Sequence, residues 1–173
     1  MQTSKQWWAE TKADPEKLKD WLIKQYRGEV TASERILNMP SSGNVANVIL
    51  EEIADDEAAH ARWVLKLLEA RGITPGEIQE QTRYWTAFSD VPNLDELETQ
   101  AAIAHHAETM RLERIRAICE DEEADVDIRN TFKRILIDEE WHARAFGMLA
   151  TSETIEATRP FHALGRELLG LEP

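Results

Sequence analysis

The chain has a single cysteine, Cys119. That excludes an intrachain disulfide framework, a four-cysteine zinc site and a rubredoxin-type iron centre. Glycine and proline are scarce, seven and six in 173 residues, so helix can run through most of the chain. No apolar run approaches the ~20 residues of a membrane span. Residues 1–30 are too polar for a signal peptide, and a reducing cytoplasm is the expected compartment. Positive charge is short as well: 20 Lys and Arg stand against 33 Asp and Glu, a net charge of −13. This argues against nucleic acid and anionic membranes as partners, since both are held by clustered cations. It fits a protein that draws cations in. Hydrophobic content of 42% is globular, and residues 1–173 read as one domain large enough for a substantial core.

Four long helices can be placed. A short amphipathic helix over 3–13 carries Trp7 and Trp8. Asp14 and Pro15 then form a helix start, Asp as N-cap and Pro at the first position. Helix A spans 15–39 and is broken by the Pro-Ser-Ser-Gly stretch at 40–43. Helix B spans 44–71 and stops at Gly72. Residues 73–92 form a connection, with a short helix over 77–87. Asn93 caps helix C, with Glu96 in the capping-box position, and helix C reaches residue 120. Helix D covers 126–150. Thr151 and Ser152 start a short C-terminal helix that Pro160 interrupts. The A–B and C–D connections are short, which makes those pairs antiparallel. The long B–C link can cross the bundle end to end. The expected fold is all-α: an antiparallel four-helix bundle over 15–150 with short terminal helices.

The strongest signal is a repeat. The heptapeptide at 56–62, DEAAHAR, returns at 138–144 as DEEWHAR. Each copy contains Glu-x-x-His: Glu57 with His60, and Glu139 with His142. Residues three apart share a helix face, so each pair aims a carboxylate and an imidazole the same way. The apolar stripes of helices A and C also carry a carboxylate in mid-stripe, Glu29 and Glu108. Glu29 fits better than Glu34, which lies about 140° around the helix. Glu108 fits better than Glu113, although a side face of Ile103, Met110 and Ala117 leaves the orientation of helix C open. Glu29 precedes Glu57 by 28 residues and Glu108 precedes Glu139 by 31, so the two helix pairs are near-equivalent.

Four carboxylates buried together are costly without cations. Two divalent ions would neutralise them, and the O/N donor set suits iron or manganese, with zinc also able to bind. The expected ligands are Glu29, Glu57, His60, Glu108, Glu139 and His142. Asp56 and Asp138 are candidates for orienting the ligands or joining helices. His105 is a candidate extra ligand, hydrogen-bond partner, proton donor or plain core histidine. Tyr26 is a candidate donor to Glu29 or an ordinary core aromatic. His106 and His162 read as surface residues. Arg62 and Arg144 read as ion-pair partners of acidic groups on neighbouring helices. Trp7, Trp8, Leu168 and Leu169 offer apolar surface that a homodimer would cover.

Through Gly28-Glu29, Glu57-x-x-His60, Glu108 and Glu139-x-x-His142, the chain resembles the ferritin-like superfamily and, within it, rubrerythrin-like di-iron carboxylate proteins. The resemblance covers 15–150. It implies two iron ions, with manganese as the alternative, reacting with O2 or H2O2. Its departures are the missing rubredoxin cysteines and the absence of a further carboxylate one turn from Glu108. Electrons would come from an external donor, or from further Fe(II). The expected function is a dinuclear oxidoreductase of peroxidase or ferroxidase type. The alternatives are iron binding and storage without an organic substrate, and oxygenation of an apolar substrate through a channel lined by small residues.

Overall fold

Caps written into the sequence set the first two helices. In the computed structural model, which describes residues 2–41, 43–77 and 83–172, helix α1 spans Ser4–Ala13. It is capped by Thr3, whose side chain accepts from the Gln6 N–H while the Gln6 side chain reaches back. Asp14 caps α2, Pro15–Leu37, accepting from the N–H groups of Glu16 and Lys17. Helix α3 spans Asn44–Ala70. Gly72, at φ +65°, takes the left-handed conformation that ends it, which a residue without Cβ adopts at no steric cost. Helices α4, Leu97–Glu120, and α5, Val126–Leu149, follow, and α6 spans Ser152–Leu168.

Three sequence expectations change at the helix ends. Asn93 does not cap α4. It sits in a left-handed turn at φ 58°, a conformation Asn tolerates, and Glu96 is the N-cap without a side-chain bond. The helix expected over 77–87 falls partly outside the described residues, and Trp85–Phe88 is a single 3-10 turn. Pro160 does not interrupt α6. Pro160 and Glu156, whose carbonyl loses its helical donor, are both exposed, so water can take the lost bond. The C-terminal helix is therefore long, and it packs along α4 and the 3-10 turn.

Helices α2 and α3 pack together, as do α4 and α5, and α3 lies against α5. Two apolar clusters fill the bundle. One joins Leu22, Val64, Leu68, Ile115, Ile118, Phe132 and Ile135. The other joins Ile36, Leu50, Ile53, Ala101, Ala104 and Phe146. Each long helix contributes to both, and its acidic site residue falls between the two contributions. Burying Phe132 or Phe146 completely stabilises the fold by about 1.5–3 kcal/mol each. The clusters also cover the polar layer between them on both sides along the bundle.

Trp7 and Trp8 turn inward rather than outward. Trp8 is buried, and both rings, tilted against each other, pack edge-on against Trp21, which in turn lies tilted against Phe132. The Trp8 indole N–H donates to Asp121 at 2.8 Å, tying α1 to the α4–α5 turn. Helices α2 and α4 make little direct contact, which leaves an open seam on that side of the bundle. No helix among the described residues is long and apolar enough to cross a membrane.

Candidate metal centre

At the level between the two apolar clusters, Glu29, Glu57, His60, Glu139 and His142 are completely buried and Glu108 is nearly so. The structure brings all six predicted residues into one layer. One ligand atom from each of Glu29, Glu57, His60 and Glu139 lies within 4.8 Å of the others. The imidazoles of His60 and His142 stand 5.7 Å apart, centre to centre.

The carboxylates of Glu57 and Glu139 each face both histidines. Glu57 presents Oε2 to His60 Nδ1 at 3.7 Å and Oε1 to His142 Nδ1 at 3.4 Å. Glu139 presents Oε1 to His60 at 3.5 Å and Oε2 to His142 at 3.6 Å. Glu29 approaches only His60, at 3.9 Å.

The outer nitrogens of the imidazoles are held by the repeat itself. His60 Nε2 lies 3.1 Å from Asp138, and His142 Nε2 lies 3.3 Å from Asp56. Each aspartate therefore orients the histidine of the other heptapeptide. The crossed pairing, 56 with 142 and 60 with 138, requires α3 and α5 to run antiparallel. With Nε2–H donating to carboxylate, the Nδ1 lone pair is left facing the centre. Asp56→Ala or Asp138→Ala should weaken metal binding about 10–100-fold while leaving the helix content unchanged. Titration with Co(II), followed by absorbance and circular dichroism, checks this.

Eight buried oxygen and nitrogen atoms on the six side chains have no hydrogen-bond partner, and every one of the six contributes at least one. Buried polar groups are nearly always satisfied, so a concentration of orphans in one layer marks the place of missing positive charge. Oxygen and imidazole nitrogen are suitable donors for a divalent transition metal. The residues fit such a group.

The pattern missed one residue of the layer, Arg111. Its guanidinium pairs with Glu29, lies 3.2 Å from Glu139 and 3.7 Å from Glu57. It follows Glu108 by three positions, as His60 follows Glu57 and His142 follows Glu139. That spacing was the available signal.

Charge in the metal-free layer is distributed unevenly. Burial pushes the Glu29 carboxyl well above its ordinary range despite Arg111. Burial, with Glu139 and Glu57 nearby, does the same to Glu108. Burial acts on Glu57 too, but His142, His60 and Arg111 outweigh it and hold that carboxyl well below the usual range. Glu139 is held low in the same way, chiefly by Arg111 against burial. For the histidines, burial opposes the charged form, yet the facing carboxylates prevail. His60 is raised to about 10 and His142 to about 11.

Other candidates lie elsewhere. His105 turns away from the layer: its Nδ1–H donates to the Ala143 carbonyl at 2.7 Å, and the ring packs on Gly147. Tyr26 packs partly buried against the apolar cluster of Leu22, Val64 and Phe132, and among the described residues its hydroxyl makes no bond to Glu29. His106 is not a surface residue. It is buried under α6, bonded to the Ile155 carbonyl and Thr158, and stacked on His162, which in turn meets the Tyr84 hydroxyl at 2.7 Å. The expectation failed because α6 is longer than its proline suggested. Arg62 and Arg144 are exposed and form no ion pair among the described residues.

A family model described as Rubrerythrin matches residues 21–150, the segment that contains all six site residues and Arg111. No curated protein and no solved structure matches the chain. The match spans α2 to α5 with their connections, well over half of the sequence, and the chain belongs to the rubrerythrin family.

Proposed function

We propose that Glu29, Glu57, His60, Glu108, Glu139 and His142 hold two iron ions, or manganese in their place, and that the protein is an oxidoreductase consuming O2 or H2O2. The observation that carries this reading is the double-facing geometry of Glu57 and Glu139. A carboxylate that offers one oxygen to the neighbourhood of each histidine would be able to serve two ions at once. Glu29 and His60 would complete one ion, Glu108 and His142 the other. The bound metals would supply the electrons for reducing the oxidant. The chain's own residues do the rest: Asp56 and Asp138 fix the imidazoles, the carboxylates absorb changes of charge, and the apolar clusters cover the layer on both sides.

The single cysteine, Cys119, cannot form a rubredoxin centre within these residues, so electrons would reach the site from a donor outside them. Two sources fit. A peroxidase draws on an external protein or small-molecule donor. A ferroxidase draws on further Fe(II), which the −13 charge would concentrate near the surface. Rapid mixing of the anaerobically Fe(II)-loaded protein with O2 or H2O2 separates the cases. Faster oxidation by H2O2 supports the peroxidase. Repeated turnover of excess Fe(II) supports the ferroxidase. Iron that stays ferrous against both oxidants refutes the oxidoreductase reading.

A further inference from the structure

Two cavities open in the seam between α2 and α4, and both reach Glu108. The first, about 220 Å³, is lined by Lys24, Arg35, Arg83, Arg111 and Arg114, and among the described residues Glu108 is its one carboxylate. Five cations around one cavity are anomalous in a chain of net charge −13. The second, about 200 Å³, is mostly apolar, walled by Ile36, Phe88, Ile103 and Phe146. The cavities share Ala32, Arg35, Trp85 and Glu108 in their walls, so a cationic cavity and an apolar one lie side by side.

Arg114 is the sharpest feature. It lies one helical turn beyond Arg111, on the same face of α4. Its guanidinium stacks over Trp7 at 4.9 Å, and its Nε is buried without a hydrogen-bond partner. Among the described residues it pairs with no carboxylate. Burial, and the neighbouring Arg166, push it below its ordinary range. A half-buried guanidinium with no carboxylate beside it is a favourable place for an anion.

A charge count over the metal layer points the same way, and this part rests on the dinuclear reading. Two divalent ions balance Glu29, Glu57, Glu108 and Glu139, with both histidines neutral. Arg111 is then one positive charge too many. Asp56 and Asp138 do not cancel it locally, since they sit behind the imidazoles, 34% and 29% exposed, where water screens them. Metal loading therefore frees the Arg111 charge to act on whatever occupies the cavity.

We infer that the α2–α4 seam binds a small organic acid, its carboxylate at Arg114 and Arg111 and its apolar body in the cavity beyond Glu108. This places an anionic, partly apolar substrate beside the metal ligands, and it favours oxidation of an organic molecule over iron handling alone.

Octanoate is a suitable probe, with 1-octanol and octylammonium as controls of the same length. Trp21 and Trp85 line the first cavity, so tryptophan fluorescence reports occupancy. Octanoate should bind saturably, and at least tenfold more tightly than either control. Metal loading should tighten it about tenfold or more, whereas Arg114→Gln should weaken it by a similar factor without changing metal content. Arg114→Lys, which keeps the charge, should retain part of the affinity. Equal binding of octanoate and octanol, no octanoate binding to metal-free or loaded protein, or unchanged affinity in Arg114→Gln overturns the proposal. Metal content is measured on the same samples. A protein that takes no metal but still prefers octanoate through Arg114 refutes the dinuclear reading and leaves the anion site standing.

Discussion

Arg111→Leu is expected to destabilise the metal-free protein by about 3–5 kcal/mol and to raise its metal affinity at least tenfold. Arg111 is a permanent cation of the metal-free layer, beside the protonated His60 and His142: it pairs with Glu29 and faces Glu139 and Glu57, three carboxylates that are completely buried. Removing one partner of a buried ion pair strands the other, which is the origin of the 3–5 kcal/mol estimate. The sign for metal binding is opposite. A divalent ion must take the carboxylates that Arg111 now holds, and it is repelled by the guanidinium that remains. Without Arg111 both penalties vanish, and a tenfold gain corresponds to about 1.4 kcal/mol. Thermal unfolding of the metal-free variant and a Co(II) titration measure the two halves. A melting temperature equal to wild type would show that Arg111 is not the counter-ion of the layer.

Metal affinity is expected to rise about 100-fold per pH unit through neutrality. His60 and His142, raised to about 10 and about 11, each carry a proton in the metal-free protein at pH 7. A metal takes the neutral imidazole, so binding releases both protons, and two protons per binding event set the slope. Because the folded values lie above the ordinary histidine value, binding improves as pH rises and the gain continues towards pH 10. Glu29 and Glu108, also raised, add to the release wherever they are still protonated. The same shifts stabilise the metal-free fold. That contribution is fully present below the ordinary histidine range and is lost as pH rises through about 10 to 11. Zn(II) titrations in weakly buffered solution between pH 6 and 8, with proton release followed directly, test the prediction. A pH-independent affinity would mean that the histidines are neutral before metal arrives.

The parts of this molecule that were legible in the sequence are those governed by helical period. Glu57 with His60 and Glu139 with His142 share a face because they are three residues apart, and Glu29 and Glu108 interrupt otherwise apolar stripes. Nothing more was needed to place six side chains in one buried layer. The preference for Glu29 over Glu34 and for Glu108 over Glu113 followed from angle alone.

What was not legible depends on tertiary covering. Arg111 occupies the same relative position on α4 as the two histidines on α3 and α5, but a stripe search for apolar and acidic groups passes over an arginine. His106 and His162 read as exposed because α6 was expected to break at Pro160; with α6 continuous, His162 on that helix stacks over His106 of α4. His105 looked equivalent to a ligand because it precedes Glu108 by three residues. It meets the α5 backbone at Gly147 and Ala143 instead, a contact that depends on how α4 is rotated. The open α2–α4 seam had no sequence signature, since it results from two helices whose backbones stay apart along most of their length.

The most direct test of the account is elemental analysis of protein purified under anaerobic conditions, with Glu57→Ala and Glu139→Ala alongside. Two iron or manganese ions per wild-type chain are expected, with both lost in either variant, since each of these carboxylates faces both histidines. Wild-type protein that neither carries metal nor takes up added Fe(II), or variants that keep the full complement, would contradict this expectation.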